Sequence, residues 1–195
     1  NLPQAKAVLN PKRSDCQYPF KELTGCGVGF KLIQALSLHY TTISPNELYS
    51  LLDFVAISIA SDIVPVNGEN RILAYFGLKE LAQTQKPGLI ALKKVAQIDN
   101  FSDISISDVV FRIGPRINAA GRIEHASHSV NLLIEQNQEN ADEMAQKLNE
   151  YNSERKNEQD NITNEILEMF KSDLSLSEKK STVVYNENWN KGVVG

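Results

Sequence analysis

Three arginines stand among small residues in one short segment, and this pattern is typical of phosphate recognition. Segment 111–129 has the sequence FRIGPRINAAGRIEHASHS and contains Arg112, Arg116 and Arg122. A guanidinium binds phosphate oxygens in a bidentate way, and Gly and Ala let a ligand approach the main chain. Asn118 adds an amide that donates to a phosphate or fixes the loop. The segment predicts a phosphate-binding loop. The alternative is a structural turn whose arginines pair with acids.

A carboxylate within an apolar run is the second candidate for chemistry. Asp62 lies in AISIASDIVPV, residues 56–66, where Ser61 is the one polar neighbour within two positions. A buried carboxylate must be paired, hydrogen-bonded or bound to a metal, because an isolated buried charge is strongly unfavourable. The alternative is an exposed helix end, since aspartates are mostly exposed. Asp53 has a similar setting, so the pattern alone does not separate the two.

The histidines and cysteines are weaker candidates. His125 and His128 have the i, i+3 spacing of a helical metal pair, but no carboxylate-rich ligand set accompanies them, so capping or surface roles are favoured. His39 has no partner in sequence and is treated as structural. Cys16 and Cys26 are too few for a disulfide framework and match no zinc spacing, which indicates free thiols in a reducing cytosol.

Composition and charge narrow the class of protein. The 195 residues are 42% hydrophobic with a net charge of −4, as in a globular domain, and no stretch approaches the roughly 18 apolar residues of a membrane span. Residues 1–131 carry 13 basic and 11 acidic side chains, whereas residues 132–180 carry 6 and 12. Polyanion binding by the first part is therefore compatible with the acidic total. The start lacks an initiator Met and a signal core, which predicts an internal piece of a longer protein.

Helices dominate the elements predicted to position these residues. The sequence predicts a strand at residues 6–10, a helix capped by Thr24, a helix from Ser44 and Pro45 through Ser61, a helix that begins at residues 68–70, and a short helix at residues 89–97. So many helices with so few strands indicate the helical flank of an α/β domain whose sheet lies mostly upstream.

A long helix is predicted after this region. Apolar positions recur at helical spacing over residues 141–170 around a polar middle, and Asn140 with Glu143 resembles a capping box. This pattern suits a helix that bridges two domains without contact at its middle. The alternatives are a surface helix with a solvated middle and a coiled coil. After a linker, residues 181–186 predict a strand, with which a second domain begins.

Several motifs together resemble the bacterial RecJ family of single-stranded-DNA exonucleases, in the DHH phosphoesterase superfamily. They are NPKRSDCQYPFKELTGCGVGFKL, ASDIVPVNGENR, RINAAGR and WNKGVVG, in this order and spacing. In that family an α/β domain holds two divalent ions, usually manganese, through aspartates and an Asp-His-His triplet. The resemblance implies that Asp62 is the last of these metal ligands, with the others upstream. It also implies that Arg116, Asn118 and Arg122 hold DNA phosphates.

The resemblance further implies how the chain is divided. Residues 1–136 would form the helix-rich C-terminal part of a DHH-type parallel-sheet α/β domain, residues 137–172 a connecting helix, and residues 173–195 the start of a DHHA1-type α/β domain. The opening motif of that second domain usually contains Trp-His-x-Gly-Val. Here Asn190 replaces the histidine.

The function implied by the resemblance is 5′ to 3′ hydrolysis of single-stranded DNA by two-metal catalysis, in cytoplasmic DNA repair and recombination. Manganese is the expected ion, with magnesium as the substitute. The expected partners are single-stranded DNA and a single-stranded-DNA-binding protein, with no membrane. The alternatives are a non-catalytic DNA-binding or replication-associated relative and an oligonucleotide or nucleotide phosphoesterase. The chain alone, with one predicted ligand, is expected to be inactive.

Overall fold

Every regular element of the described residues is helical. A computed structural model describes residues 3–40, 42–98, 103–173 and 179–194. Its α-helices are α1 (Gly25–Ser37), α2 (Pro45–Ser50), α3 (Leu52–Ser61), α4 (Gly68–Gln83), α5 (Pro87–Val95), α6 (Ile106–Asp108), α7 (Gly114–Ile123), α8 (Ser127–Ile134), α9 (Gln138–Ser172) and α10 (Lys191–Val194). A π-helical turn, Val109–Ile113, joins α6 to α7. Within the same ranges no helix is both long and apolar enough to cross a membrane.

Two predicted strands are absent from this described part. Residues 6–10 and 181–186 adopt no regular structure. A β-strand exists only where a neighbouring strand completes its ladder of hydrogen bonds, and the described residues supply no such neighbour. The prediction of strands was therefore wrong for these two segments, and the described fold is a set of packed helices.

Side-chain caps set the starts of the first helices, as predicted. The Thr24 hydroxyl accepts a hydrogen bond from the Gly27 amide at 3.0 Å at the start of α1. Ser44 and Glu47 form a reciprocal capping box at the start of α2. The predicted single helix through Ser61 is instead two helices, because the Leu51 amide bonds to the Leu48 carbonyl in a tighter turn.

The arginine-rich segment is helical, so the predicted loop was wrong. The π turn that precedes α7 ends in a bond from the Gly114 amide to the Val109 carbonyl. Pro115, which has no amide hydrogen, then lies in the first turn of α7, where the missing donor costs little. A Cβ on Gly114 would stand 2.9 Å from the Ser61 hydroxyl oxygen. The absence of a side chain there lets the start of α7 pack against the end of α3.

Helix α3 lies between two apolar clusters and contributes to both. Ile57 and Ala60 pack in a cluster built mainly from α5, α7, α8 and the first part of α9. Val55 and Ile59 pack in a second cluster with α1, α2 and α4. Burial on both sides explains why α3 is almost wholly apolar. The position of its C-terminal end, where Asp62 lies, is therefore fixed from both sides.

Helix α9 extends beyond residues 141–170, the stretch whose apolar periodicity predicted it. It has 35 residues, which span about 52 Å at the usual rise per residue. Its cap is Asn137, whose side-chain oxygen accepts from the Asn140 amide at 3.0 Å, so the predicted capping role of Asn140 was wrong. The helix thus begins three residues before the predicted stretch of residues 141–170. The prediction that the middle of α9 makes no contacts was also wrong, because Glu158 accepts from Asn190 at 3.5 Å.

Candidate functional site

Asp62 projects from the end of α3. It is the C-cap residue of that helix and is exposed to solvent, as the alternative interpretation of its sequence predicted. The Ser58 hydroxyl donates a hydrogen bond to Asp62 Oδ2 at 2.9 Å, which leaves Oδ1 available. Ile63, the next residue, has φ +53° and is 93% exposed. A β-branched residue rarely adopts this left-handed backbone, so the sharp turn after Asp62 is held under strain.

A cavity beside α3 brings two of the predicted site residues together. Its volume is about 530 Å³, and Asp62 and Asn118 both line it. The remaining wall is mostly apolar and comes from α1, α3, α7 and α8, with Phe30, Phe54, Ile57, Ile117, Val130, Leu133 and Ile134 among its residues. Asp62 and Asn118 are 56 residues apart in sequence. The packing of α7 against the end of α3 therefore creates this juxtaposition.

The predicted phosphate-binding residues lie on two different faces of α7. Asn118 and Arg122 are four positions apart and share one face, whereas Arg116 lies on another. Arg116 Nε donates to Asn149 Oδ1 of α9 at 2.9 Å, and its Nη1 donates to the Arg112 carbonyl at 2.6 Å. Burial lowers the pKa of Arg116 from its usual value, and the positive charge of Arg112 lowers it further. Arg116 thus joins α7 to α9 and is half-buried.

Of the three arginines, Arg116 and Arg122 have no carboxylate partner among the described residues. Arg112 lies 3.5 Å from the Asp108 carboxylate, as a structural role would require. Arg122 Nη1 donates to the Gly192 carbonyl at 2.7 Å, and Arg116 bonds to uncharged oxygens. Within the described ranges neither Arg116 nor Arg122 forms an ion pair with a carboxylate. Positive charge without an acidic partner favours an external anion over the alternative of a fully paired structural turn.

The two neighbouring histidines have surface roles. The Nδ1 atom of His125 accepts from the Ser127 amide at 3.1 Å, in the turn before α8. The Nε2 atom of His128 lies 2.9 Å from the Glu124 carboxylate, which also accepts from the Tyr151 hydroxyl at 2.6 Å. In the part of the chain that the structure describes, no three His, Cys, Asp or Glu side chains form a group able to hold a metal. The contacts of His125 and His128 are of the capping and surface kinds that their sequence pattern favoured.

Among the described residues, Asp62 can supply one ligand to a divalent metal ion. Asp62 has a free carboxylate oxygen at a cavity, which suits an oxygen-seeking ion, but a stable site needs several such ligands. Cys26 lines the same cavity, and burial raises the pKa of its thiol, as do the nearby charges of Asp62 and Asp53. Magnesium and manganese ions prefer oxygen ligands to a thiol. A complete metal centre at this place therefore requires further ligands brought to Asp62.

The segment around Trp189 contacts both α7 and α9. Trp189 Nε1 donates to Glu165 of α9 at 2.7 Å. Asn190, which departs from the motif of the resembling family, accepts from the Gly192 amide at 2.8 Å and donates to Glu158. Gly192 lies within the motif WNKGVVG, and no role was predicted for it. Its contact with Arg122 joins residues 70 positions apart, and no short-range signal reports such a contact.

The chain is similar in sequence to curated exonucleases along its whole length. It is 39% identical over 194 residues to the single-stranded-DNA-specific exonuclease RecJ of Bacillus subtilis, covering 100% of this chain and 23% of that protein. It is 35% identical over 208 residues to RecJ of Escherichia coli, covering 100% of this chain and 35% of that protein. No family model matches the chain.

Solved structures share the fold. The crystal structure of RecJ in complex with Mn²⁺ from Thermus thermophilus matches with a TM-score of 0.79 and 27% identity, over 92% of this chain and 26% of that one. A crystal structure of exonuclease RecJ bound to manganese matches with a TM-score of 0.77 and 28% identity, over 91% of this chain and 43% of that one. The described helices thus have the arrangement found within these two proteins.

Fold and sequence comparisons agree, since both match this chain to part of proteins named RecJ. The chain is similar along its whole length to one part of RecJ proteins, as its motifs suggested. It spans 23% of the length of the Bacillus subtilis relative and 35% of the Escherichia coli relative. The 195 residues therefore correspond to one part of these longer relatives.

Proposed function

We propose that the protein containing this chain is a single-stranded-DNA-specific exonuclease that hydrolyses phosphodiester bonds from the 5′ end with two divalent metal ions. The observation that carries the proposal is the meeting of Asp62 and Asn118 at one cavity, in a chain related to RecJ along its whole length. The alternative of a non-catalytic relative differs from this proposal in predicting binding of single strands without cleavage.

Each site residue has a proposed role that follows from its contacts. Ser58 fixes one oxygen of Asp62, and the other oxygen would be the one that binds a metal ion. A bound pair of ions would supply an activated water and neutralise the charge of the phosphodiester. Asn118 donates its amide to a phosphate oxygen. Arg122 offers the guanidinium atoms that are not bonded to Gly192, and Arg116 offers its remaining amino group.

The proposed domain arrangement places this site at the edge of a larger cleft. Residues 1–136 would form the helical part of a DHH-type domain with a parallel sheet, residues 137–172 the connecting helix, and residues 173–195 the start of a DHHA1-type domain. Support comes from the number of helices before α9 and from the contacts of the segment around Trp189 with α7 and α9. The sheet would supply the other metal ligands.

The proposed setting is DNA repair and recombination in the cytoplasm. Degrading a single strand from one end is a step that both processes need. Manganese is the proposed ion, with magnesium as the substitute, because the related RecJ structures contain one or the other. A single-stranded-DNA-binding protein is the proposed partner, since it covers the same substrate.

Cleavage of end-labelled oligonucleotides by the intact protein tests the proposal. With Mn²⁺ present, a 5′-phosphorylated single strand should be shortened from its 5′ end, while a blunt duplex and a chelator-treated sample should remain uncut. The 195-residue chain alone should not cut, because one carboxylate does not hold a catalytic metal pair. Attack from the 3′ end, or equal cutting of the duplex, would contradict the proposal. Binding without any cleavage would favour the non-catalytic alternative.

A further inference from the structure

We infer that Arg122 is a positioning residue that couples α7 to the segment Trp189–Val193, so that docking of this segment strengthens the hold on single-stranded nucleic acid. The inference rests on the proposed function of the same site and goes beyond a phosphate contact by Arg122. Gly192 is its counterpart in the segment, which we name the docking segment.

The docking segment is tied to two helices by separate hydrogen bonds. Arg122 Nη1 donates to the Gly192 carbonyl at 2.7 Å, which joins the segment to α7. Trp189 Nε1 donates to Glu165 at 2.7 Å, which joins it to α9. Asn190 accepts from the Gly192 amide at 2.8 Å and thereby sets the turn that presents the Gly192 carbonyl to Arg122. The segment is thus oriented on both sides.

Close approach of the two backbones explains why residue 192 is a glycine. A Cβ at this position would lie 2.8 Å from the Arg122 carbonyl oxygen and 3.2 Å from the Arg122 Cα. These are backbone atoms of α7, which do not rotate away as the end of a flexible side chain would. An alanine at position 192 should therefore separate the docking segment from α7 without changing any charged or phosphate-facing group.

The guanidinium of Arg122 can hydrogen-bond to the Gly192 carbonyl and to a phosphate at the same time. One amino group is engaged with Gly192, and the side chain is otherwise exposed on the face of α7 that also carries Asn118. A guanidinium has five donors in one plane, so it can bond to a carbonyl and a phosphate together. Because linkage is reciprocal, a segment that improves nucleic-acid binding must itself be stabilised by the nucleic acid.

Trp189 provides a direct report of docking. It is the single tryptophan of the chain, so its emission in the 195-residue chain comes from one place in the fold. Loss of the contact with α7 should move the emission toward that of solvated tryptophan. Arg122→Ala and Gly192→Ala should both produce this shift. Gly25→Ala is the matched control, since a Cβ there would meet no atom within 4 Å.

The deciding experiment is a double-mutant cycle on oligodeoxythymidine binding by the intact protein at several salt concentrations. Gly192→Ala should weaken binding at least about fivefold while the salt slope stays unchanged, since no phosphate contact is removed. Arg122→Ala should weaken binding further and lower the slope by about one unit. The double variant should bind no more weakly than Arg122→Ala alone, because both changes break one interaction.

A second variant tests the inference even if Gly192→Ala does not fold. Trp189→Phe removes the bond to Glu165 without changing charge or α7, and it should weaken binding with an unchanged salt slope. Wild-type binding by folded Gly192→Ala, or additive losses in the double variant, would overturn the inference and leave Arg122 as a simple phosphate contact. If the wild-type protein itself neither binds nor cuts single strands, the proposed function fails instead. The emission of Trp189 would still report docking in that case.

Discussion

The two ends of helix α3 carry aspartates in similar apolar sequence, yet the structure gives them opposite environments. Asp53, at the first turn, is 0% exposed, and its Oδ2 accepts from Thr84 at 2.9 Å and from Lys86 at 2.7 Å. Asp62, at the other end, is exposed beside the cavity and accepts one bond from Ser58. A buried carboxylate saturated by protein donors stabilises the fold, whereas an exposed one with a free oxygen can serve a ligand.

The largest predicted effect belongs to the exposed end of α3. In the intact protein, Asp62→Asn should lower single-turnover cleavage on the order of a thousandfold, about 4 kcal/mol of transition-state stabilisation, because a neutral amide holds a metal poorly. Binding of the oligonucleotide should change little, since it depends on basic residues. Quench-flow rates and binding isotherms separate the two effects. An unchanged rate would remove Asp62 from the metal site.

The next effect belongs to the buried end. Lys86→Met should lower the free energy of unfolding by about 3 kcal/mol, because it leaves the charge of Asp53 buried without its partner. Lys94→Met is the matched control. Lys94 pairs with Asp142 at the surface, and loss of that pair should cost less than about 1 kcal/mol. Urea unfolding of both variants measures the difference. Equal costs would mean that the Asp53 pair contributes no more than a surface pair.

A smaller contrast is predicted along α9. Leu148 is 1% exposed in the main cluster, so Leu148→Ala should cost about 2 kcal/mol or more of unfolding free energy. Glu158 has one long contact with Asn190, so Glu158→Ala should cost less than about 0.5 kcal/mol. Thermal and urea unfolding check both values. A similar loss at the two positions would show that the far half of the helix packs as firmly as the near half.

Local signals predicted the helix starts, because their physical causes lie within a few residues. Thr24 bonds to an amide three residues on, and Ser44 and Glu47 satisfy each other across one turn. The late start assigned to α9 was an error of one turn within the same kind of signal. Its true cap is Asn137, which also bonds three residues ahead.

The roles of the two aspartates could not be predicted from their surroundings in sequence. The partners of Asp53 are 31 and 33 residues away, in the connection between α4 and α5. The helical course of the arginine-rich segment also depends on the π turn before it, which no local sequence signal reports. The resemblance to RecJ therefore supplied the residue roles, while the structure supplied the neighbours of each residue.

Binding of Mn²⁺ to the intact protein tests the central claim most directly, since it needs neither DNA nor turnover. Calorimetric titration of wild-type protein, Asp62→Asn and Lys86→Met, at a temperature where all three are folded, compares the two ends of α3. The account predicts that Asp62→Asn weakens the binding of at least one ion by about tenfold or more, whereas Lys86→Met binds as the wild type does. Wild-type affinity and stoichiometry in Asp62→Asn would contradict it.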